Sequence, residues 1–453
     1  MADALDSLVN IIASGVENLK LAYSEKGESI PSLDDTFLPS ALDDNAKAID
    51  ARRLIVAAAA QLLSTVRFPV ETLQERASEL HVTAALGLVV DFDVVDIIKE
   101  GGVKGVHVNE IAAQSGIDPS HLARILRYLA TRHIFREITP NVFANNRISS
   151  LLLKTKTREE VKAEPIAKFD GAQLAAYVSF WADTGLKSSA HWASFIQNPE
   201  GASAPFNIAF GTTAKMWDWF KEPGNELHSR RFIASMAGSG DRFPSEIFVS
   251  GIDGNLLNKD DIVVDVGGNV GSVALVLFKA YPHLRYVVQD LDRQIEAAQE
   301  YWNNNAPEAV VSGQVQLQLH DFFTPQPVKN AAIYFLRTIV HDWPDTDAKR
   351  ILINLRDAAS SSSKLVIFDR LATYSCHNPS SHTTSPSEVP SPLLSNLGIA
   401  GAGFTTNIDM LMFSLFNGKE RTEVEFKELG EAAGWKLEKV TPGPLATLVF
   451  SAA

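Results

Sequence analysis

A histidine at the end of an apolar run, with carboxylates further along the chain, has the makings of a proton acceptor. Ala332-Ile-Tyr-Phe-Leu336 runs into Arg337-Thr-Ile-Val-His341-Asp-Trp343. Read as a sheet strand, this run places His341 at its C-terminal end, where open α/β sheets bind ligands. A neutral imidazole, with a pKa near ~6.5, serves as a general base when a carboxylate orients its other nitrogen. Asp369 closes the next strand, and Glu420 stands in Asn417-Gly-Lys-Glu-Arg-Thr422. Adjacent strands would bring Asp369 beside His341, whereas the place of Glu420 does not follow from the sequence. Taken alone, each of the three is as readily a structural residue.

A second set of residues suits a nucleoside. Asp261-Ile-Val-Val-Asp265-Val-Gly267-Gly268-Asn269-Val-Gly271-Ser reads as a strand, a glycine turn and a helix start. Glycines suit such a turn because it needs backbone angles other residues resist and lets a ligand approach the main chain closely. The next strand ends in Asp290, roughly 20 residues on, the spacing at which a carboxylate accepts hydrogen bonds from ribose hydroxyls. Asp290 as a plain helix cap is the alternative. The turn lacks the spaced glycines of dinucleotide enzymes, and no phosphate-binding Lys-Ser/Thr follows it. A nucleoside without a pyrophosphate therefore fits better than NAD or ATP.

These residues need a sheet to hold them. After Gly251, short apolar strands over 262–266, 285–290, 315–319, 332–336 and 364–369 alternate with helical stretches. Such alternation belongs to a doubly wound, mostly parallel sheet. Asp345 or Thr346 is expected to cap the helix that carries Ile351, Leu352 and Leu355. Residues 373–403 are rich in Ser, Pro, Thr and His with a Gly-rich tail, and are expected to form a long surface loop, mobile at its tip.

Upstream the chain reads as helical. Leu5, Leu8, Val9, Ile12, Val16 and Leu19 recur at helical spacing, and Leu54–Ala60 with Leu62 and Leu63 predicts a second helix beyond a polar connector. Helices this apolar, with little local sequence to cover them, suggest burial against a second copy of the chain, packing within the chain being the alternative. Residues 84–150 carry a winged-helix pattern: a short helix ended by Gly116, an Asp118-Pro119 start to the next, and a hairpin over 134–144. Arg124, Arg127 and Arg132 invite a nucleic-acid reading, but the acidity of the chain favours use as a scaffold. Residues 160–250 read as helical and aromatic-rich. The expected divisions are 1–150, 151–250 and 251–453.

The bulk properties bound the function. The 453 residues are 45% apolar and carry a net charge of −13, which argues against broad binding to nucleic acid or anionic membrane. The single cysteine, Cys376, excludes an intramolecular disulfide and fits a reducing, cytoplasmic setting. No signal peptide is read at the N-terminus, and the longest wholly apolar stretch, Leu54–Ala60, is far short of the ~20 residues of a membrane helix. No metal-ligand spacing is visible.

In order along the chain, VDVGGNVG, QDL, HDFF, LRTIVHDW and NIDMLMFSLFNGKERTEVEF resemble the caffeate/flavonoid-type O-methyltransferases of plants and fungi over nearly the whole length. The resemblance implies a Rossmann-like class I methyltransferase domain, S-adenosylmethionine as cofactor, and an N-terminal helical and winged-helix region that forms a homodimer. It further implies that Gly267, Gly268 and Gly271 line the methionine and sugar end of the cofactor, with Asp290 on the ribose. Asp321 and Phe322 would flank the adenine, with Arg337 and Trp343 nearby. His341 would be the base, bracketed by Asp369 and Glu420, and Met236, Asn407 and Met412 would meet an aromatic acceptor. Methyl transfer to a phenolic hydroxyl needs no metal. A few fungal relatives bind the cofactor yet catalyse dehydration or pericyclic chemistry, which is the alternative activity. Three features depart from the family: Asn269 in place of a third glycine, Asp369 in place of a glutamate, and a longer 373–403 segment.

Overall fold

The computed structural model describes residues 2–236, 243–378 and 389–453. The chain forms two compact units, Met1–Gly238 with Val389–Gly401, and Ser239–Glu388 with Ala402–Ala453.

In the first unit the helices Ala2–Glu25 and Ala46–Val66 pack on one another. Their approach is close at Gly15, where a methyl group would stand 2.7 Å from Ile55 Cγ1. Arg52 ties down the connector by donating to Leu42 O (3.0 Å) and the Tyr23 hydroxyl (2.9 Å). The winged helix forms as its turn chemistry predicts. Gly116 closes the helix Val108–Ser115 at φ +77°, and Asp118 caps Pro119–Ala130 through the N–H groups of Ser120 and His121. Strands β1 (Val106–His107), β2 (Phe135–Thr139) and β3 (Val142–Asn145) form a sheet in the order β1-β3-β2. Of its basic residues, Arg127 pairs with Glu137 and Arg132 with Glu75. Part of the 373–403 segment also belongs to this unit: Pro392 O accepts from Gln61 Nε2 at 2.9 Å, and a short turn forms at Gly398–Ala400. This stretch is packed against the Ala46–Val66 helix, unlike a free surface loop. The expected mobile tip, over 379–388, lies outside the described residues.

The second unit is built on a seven-stranded sheet of β4 (Ile262–Val266), β5 (Arg285–Asp290), β6 (Val315–Leu319), β7 (Ile333–Arg337), β8 (Lys364–Asp369), β9 (Trp435–Thr441) and β10 (Ala446–Ala452). Their order is β6-β5-β4-β7-β8-β10-β9. β4 to β8 pair in parallel, and β10 joins β8 and β9 antiparallel. The parallel strands are continuous apolar runs because helices cover both faces. Side-chain alternation divides them cleanly. Val263, Tyr286, Val288, Ile333, Phe335, Val366 and Phe368 enter one core, and Val264, Val266, Val287, Tyr334, Leu336, Leu365 and Ile367 enter the other. The C-terminal hairpin β9–β10 was not among the sequence expectations, although Ala446-Thr-Leu-Val-Phe450 has strand composition. A parallel sheet sends all its C-terminal strand ends to one edge, so Asp265, Asp290, Arg337 and Asp369 are gathered there by topology.

Candidate active site

β7 ends at Arg337, and the chain leaves the sheet through Thr338, held at φ +50°. That is an uncommon conformation for a β-branched residue, and it is fixed by the Thr338 N–H donating to Phe368 O of β8 at 2.9 Å. A single 3-10 turn, Val340–Asp342, then presents His341. His341 Nδ1 lies 2.8 Å from Glu420 Oε1 and 3.6 Å from Asp369 Oδ1. On the other side of the ring, Nε2 lies 3.5 Å from Asp342 Oδ1. All three residues singled out for acid–base work are thus in one cluster, with Asp342 as a third carboxylate that the sequence reading assigned no role.

Glu420 arrives there from 79 residues away in the sequence. The helix Gly403–Phe416 ends at Asn417 in the left-handed region, and the chain turns back under His341. At Gly418 a methyl would stand 2.2 Å from His341 O, so only glycine allows this approach. The Lys419 N–H donates to His341 O at 3.0 Å, and the Glu420 N–H donates to Asp409 Oδ1 at 2.8 Å.

The electrostatics follow from burial. Asp369 and Glu420 are almost wholly removed from solvent. Burial alone disfavours an imidazolium, but the charges of Asp369, Glu420 and Asp342 outweigh it and push His341 up to about 10. Burial, together with the neighbouring Glu420, raises Asp369 to about 7 and Asp342 to about 6, against the opposing pull of His341. Asp369 Oδ2 and Glu420 Oε2 are buried without a hydrogen-bond partner among the described residues. The cluster therefore holds more protons at neutral pH than its residue types would ordinarily carry. His341, Asp369 and Glu420 each bring a ligand-type atom within 4.8 Å of the others, a grouping that sequence spacing does not reveal.

The glycine turn follows β4 as predicted, with Gly267 at φ +70° and Gly271 at φ +78°. Asn269 takes φ +52°, a conformation asparagine tolerates, so its substitution for glycine leaves the turn intact. Tight packing within the chain also explains the glycines. A methyl at 268 would lie 2.5 Å from the Asp265 carboxyl carbon, and one at 271 would lie 2.7 Å from Trp302 Nε1. Asp290 accepts from the N–H groups of Asn269 (2.8 Å) and Leu291 (2.7 Å), joining the turn to the end of β5. Each of its oxygens keeps a lone pair for a further donor. Asp265, quoted in the motif but given no role, is buried, with Oδ2 unpartnered among the described residues. Burial pushes its carboxyl up to about 7, the charge of Arg337 opposing and that of Asp290 adding.

Phe322, Phe323 and Trp343 form an aromatic cluster, Phe322 and Trp343 meeting edge-on at 5.8 Å. The Phe322 ring would lie 3.5 Å from a methyl on Gly267, which sets this cluster beside the glycine turn. Asp321 is exposed and accepts from the Phe323 N–H at 2.9 Å. Burial lowers the pKa of Arg337, while Asp265 and Asp369 on the flanking strands oppose that shift. Met412 is buried and Asn407 exposed, both on the Gly403–Phe416 helix, and Met236 ends the helix Glu226–Met236 in the first unit. Asp342, Asp265 and Asp409 were missed by the sequence reading. The signal for the first two was available, because both stand at C-terminal ends of sheet strands or in the turn directly after one.

Residues 191–436 match the family model of the O-methyltransferase domain, and residues 75–155 match that of the O-methyltransferase dimerisation domain. An O-methyltransferase of Armillaria gallica is 36% identical over 454 residues, covering 97% of this chain and 96% of the relative. The O-methyltransferase NcsB1 from neocarzinostatin biosynthesis, solved with S-adenosylmethionine and 2-hydroxy-5-methyl naphthoic acid, shares the fold at a TM-score of 0.62. It is 22% identical and covers 83% of this chain and 98% of its own. A pericyclic reaction enzyme shares the fold at a TM-score of 0.63 and 22% identity, covering 89% of this chain and 94% of its own.

Proposed function

The chain belongs to the fungal-type S-adenosylmethionine-dependent O-methyltransferases of secondary metabolism, and on that premise we propose that it methylates a phenolic hydroxyl of a small aromatic metabolite with His341 as general base. The observation that carries this reading is the His341–Glu420 contact of 2.8 Å with Nε2 on the opposite side of the ring. Glu420 accepts the Nδ1–H and fixes the tautomer, which leaves Nε2 as the atom to take the acceptor's proton.

The cofactor residues fit the family's donor. The buried, unpartnered Asp265 Oδ2 beside Gly268 is suited to a cationic ligand, and the free lone pairs of Asp290 to ribose hydroxyls. Gly267, Gly268 and Gly271 would line its methionine and sugar end, Asp321 and Phe322 would flank the adenine with Trp343 on the same side, and Arg337 would lie near the cofactor. S-adenosylmethionine supplies an electrophilic methyl on its sulfonium. His341 would take the hydroxyl proton on Nε2 while the oxygen bonds the methyl: O–H and S–CH3 break, N–H and O–CH3 form, and the S–CH3 electron pair stays on the sulfur of S-adenosylhomocysteine. The carboxylates that raise His341 make its neutral ring a stronger base toward a phenol than a free imidazole, with a smaller neutral fraction at neutral pH. Asp369 and Glu420 stabilise the imidazolium formed. Holding oxygen and methyl in line supplies the larger share of the acceleration, about 7–11 kcal/mol in oriented systems. Met236, Asn407 and Met412 are assigned to the acceptor.

The protein acts, in this reading, as a cytoplasmic homodimer that takes a small molecule and no nucleic acid. Among the described residues no helix is long and apolar enough to cross a membrane. The phenolic acceptor is supported by the hydroxylated aromatic acid bound to NcsB1.

The test is S-adenosylhomocysteine release against a panel of phenols, catechols and hydroxylated polyketides. His341→Ala is expected to lower turnover by about 10²–10⁴ with S-adenosylmethionine affinity retained, and a chelator is expected to leave wild-type turnover unchanged. Near-wild-type turnover of the variant would remove His341 from the base role. Tight cofactor binding with no release from any acceptor would favour the pericyclic alternative.

A further inference from the structure

We propose that Arg421 is a positioning residue for the reaction: its guanidinium ties the turn that carries His341 to the segment that carries Glu420, and so sets the hydrogen bond between the two. The inference rests on the reading of His341 as base.

The turn after β7 has little regular structure to hold it. Within it the Val340 carbonyl accepts a long bond of 3.3 Å from the Trp343 N–H, and carbonyls in such a turn take further donors from elsewhere in the chain. Arg421, directly after Glu420, supplies them. Nη1 donates to Val340 O at 2.8 Å and Nη2 to Trp343 O at 2.8 Å, so the two carbonyls that flank His341 and Asp342 are both held by one side chain. The His341 carbonyl between them accepts from the Lys419 N–H. Three carbonyls of the turn are thus bound by Lys419 and Arg421, the residues on either side of Glu420.

The guanidinium is anchored from its other edge. Nε (2.9 Å) and Nη2 (2.8 Å) both donate to Asp345 Oδ1. Asp345 opens the helix Asp345–Ala358, where the sequence suggested a capping acid, but the N-cap position is Pro344 and the Asp345 carboxylate serves Arg421 and Lys419 instead. The main chain of Arg421 completes the frame. Its carbonyl accepts from the Ala372 N–H at 3.0 Å, and it forms a parallel bridge with Leu371, two residues beyond Asp369. One residue therefore touches the turn with His341, the segment with Glu420 and the chain just past Asp369.

The side chain is wholly buried. A buried guanidinium is expensive to desolvate, and the planar fork explains why it is used: it reaches two carbonyls and a carboxylate at fixed angles. A lysine in its place offers one compact ammonium that cannot span them. His341 itself is faced by Glu420, Asp369 and Asp342. Behind these, Asp409 and Lys419 act near Glu420, and Arg337 and Arg421 act on Asp369. Loosening Arg421 lengthens the Glu420–His341 contact, which is the nearest of the interactions that favour the imidazolium.

The experiment compares full-length wild type, Arg421→Lys and Asp345→Asn. Each is read by histidine-ring NMR titration of His341, by kcat and KM for an acceptor, by calorimetric S-adenosylmethionine binding and by thermal melting. For Arg421→Lys the expected result is a lower His341 pKa and an acidic limb of the kcat/KM profile displaced to lower pH. Its kcat should fall about 10–100-fold, the range a misplaced reacting group costs, with cofactor affinity within about twofold. Asp345→Asn, at an exposed anchor, should shift the titration in the same direction by less. A His341 titration that does not move in Arg421→Lys overturns the proposal, whatever happens to kcat or to the melting temperature. Where Arg421→Lys does not fold, an unmoved titration in Asp345→Asn overturns it. Retained turnover in His341→Ala would instead defeat the base assignment, and the ring titration distinguishes that failure from this one.

Discussion

Among single residues, His341 holds a proton more tightly than a histidine in water because three carboxylates face it in a site that excludes solvent. Two consequences can be measured. For catalysis, the neutral ring is the active form, so kcat/KM for a fixed phenol is expected to rise with pH toward about 10, and Glu420→Gln to bring that limb to lower pH. Acceptor ionisation is common to both enzymes and cancels in the comparison. For stability, both His341 and Asp369 have folded-state values raised above those of the unfolded chain. The His341 contribution is complete below its unfolded value of 6.5 and is lost as pH rises through about 10. That of Asp369 is complete below 3.8 and is lost as pH rises through about 7. Denaturant unfolding from pH 4 to 10 should therefore show declining stability, and Asp369→Asn should flatten the part between about 4 and 7. A wild-type profile that rises over that range would contradict the charge arrangement.

At the scale of elements, the glycine turn is held by its own chain before any ligand enters. Trp302, wholly buried in the Asp292–Asn305 helix, donates Nε1 to Val270 O at 3.0 Å, and Asp290 grips the Asn269 N–H from β5. Gly268→Ala would drive a methyl into the Asp265 carboxyl group. Overpacking of this kind costs about 1–3 kcal/mol, so the variant should unfold at lower denaturant concentration and bind S-adenosylmethionine more weakly. Trp302→Phe strips the half-buried Val270 carbonyl of its donor, a loss of about 0.5–1.5 kcal/mol. Its effect on cofactor affinity should be smaller, since Asp265 keeps its place. Equal losses of affinity in the two variants would argue that the turn as a whole, and not the Asp265 carboxylate, sets binding.

At the scale of the whole molecule, the N-terminal helices leave apolar side chains uncovered. Leu63, Val66, Phe68, Val70 and Leu73 follow one another over two consecutive helices, and Phe68 and Leu73 are 67% and 72% exposed. An isolated exposed leucine is ordinary, whereas several exposed apolar residues close together in the chain make a candidate interaction surface. The match to the dimerisation domain begins at residue 75, just after this run, and the prediction is that a homodimer contact extends onto it. Phe68→Glu with Leu73→Glu should sediment as a monomer while keeping its helical circular dichroism. A dimer of unchanged stability would place the contact elsewhere.

The sequence by itself determined the parallel strands of the sheet, the glycine turn and the reaction class. Short continuous apolar runs with helical stretches between them admit few folds, so β4 through β8 and the winged helix were legible within a residue or two. His341 and Asp369 could be placed together because adjacent parallel strands must end at one edge. Glu420 could be named through its motif but not positioned, since its approach depends on Gly418 passing beneath a carbonyl of a distant turn. Arg421 and Asp409 act through contacts between segments that are remote in sequence, and no periodicity records them. The packing of residues 389–401 on an N-terminal helix was likewise invisible, because a Ser- and Pro-rich composition reads as loop wherever it settles. Local spacing encodes which elements form. Proton affinities and side-chain partners arise from charges and carbonyl groups brought together only when those elements pack.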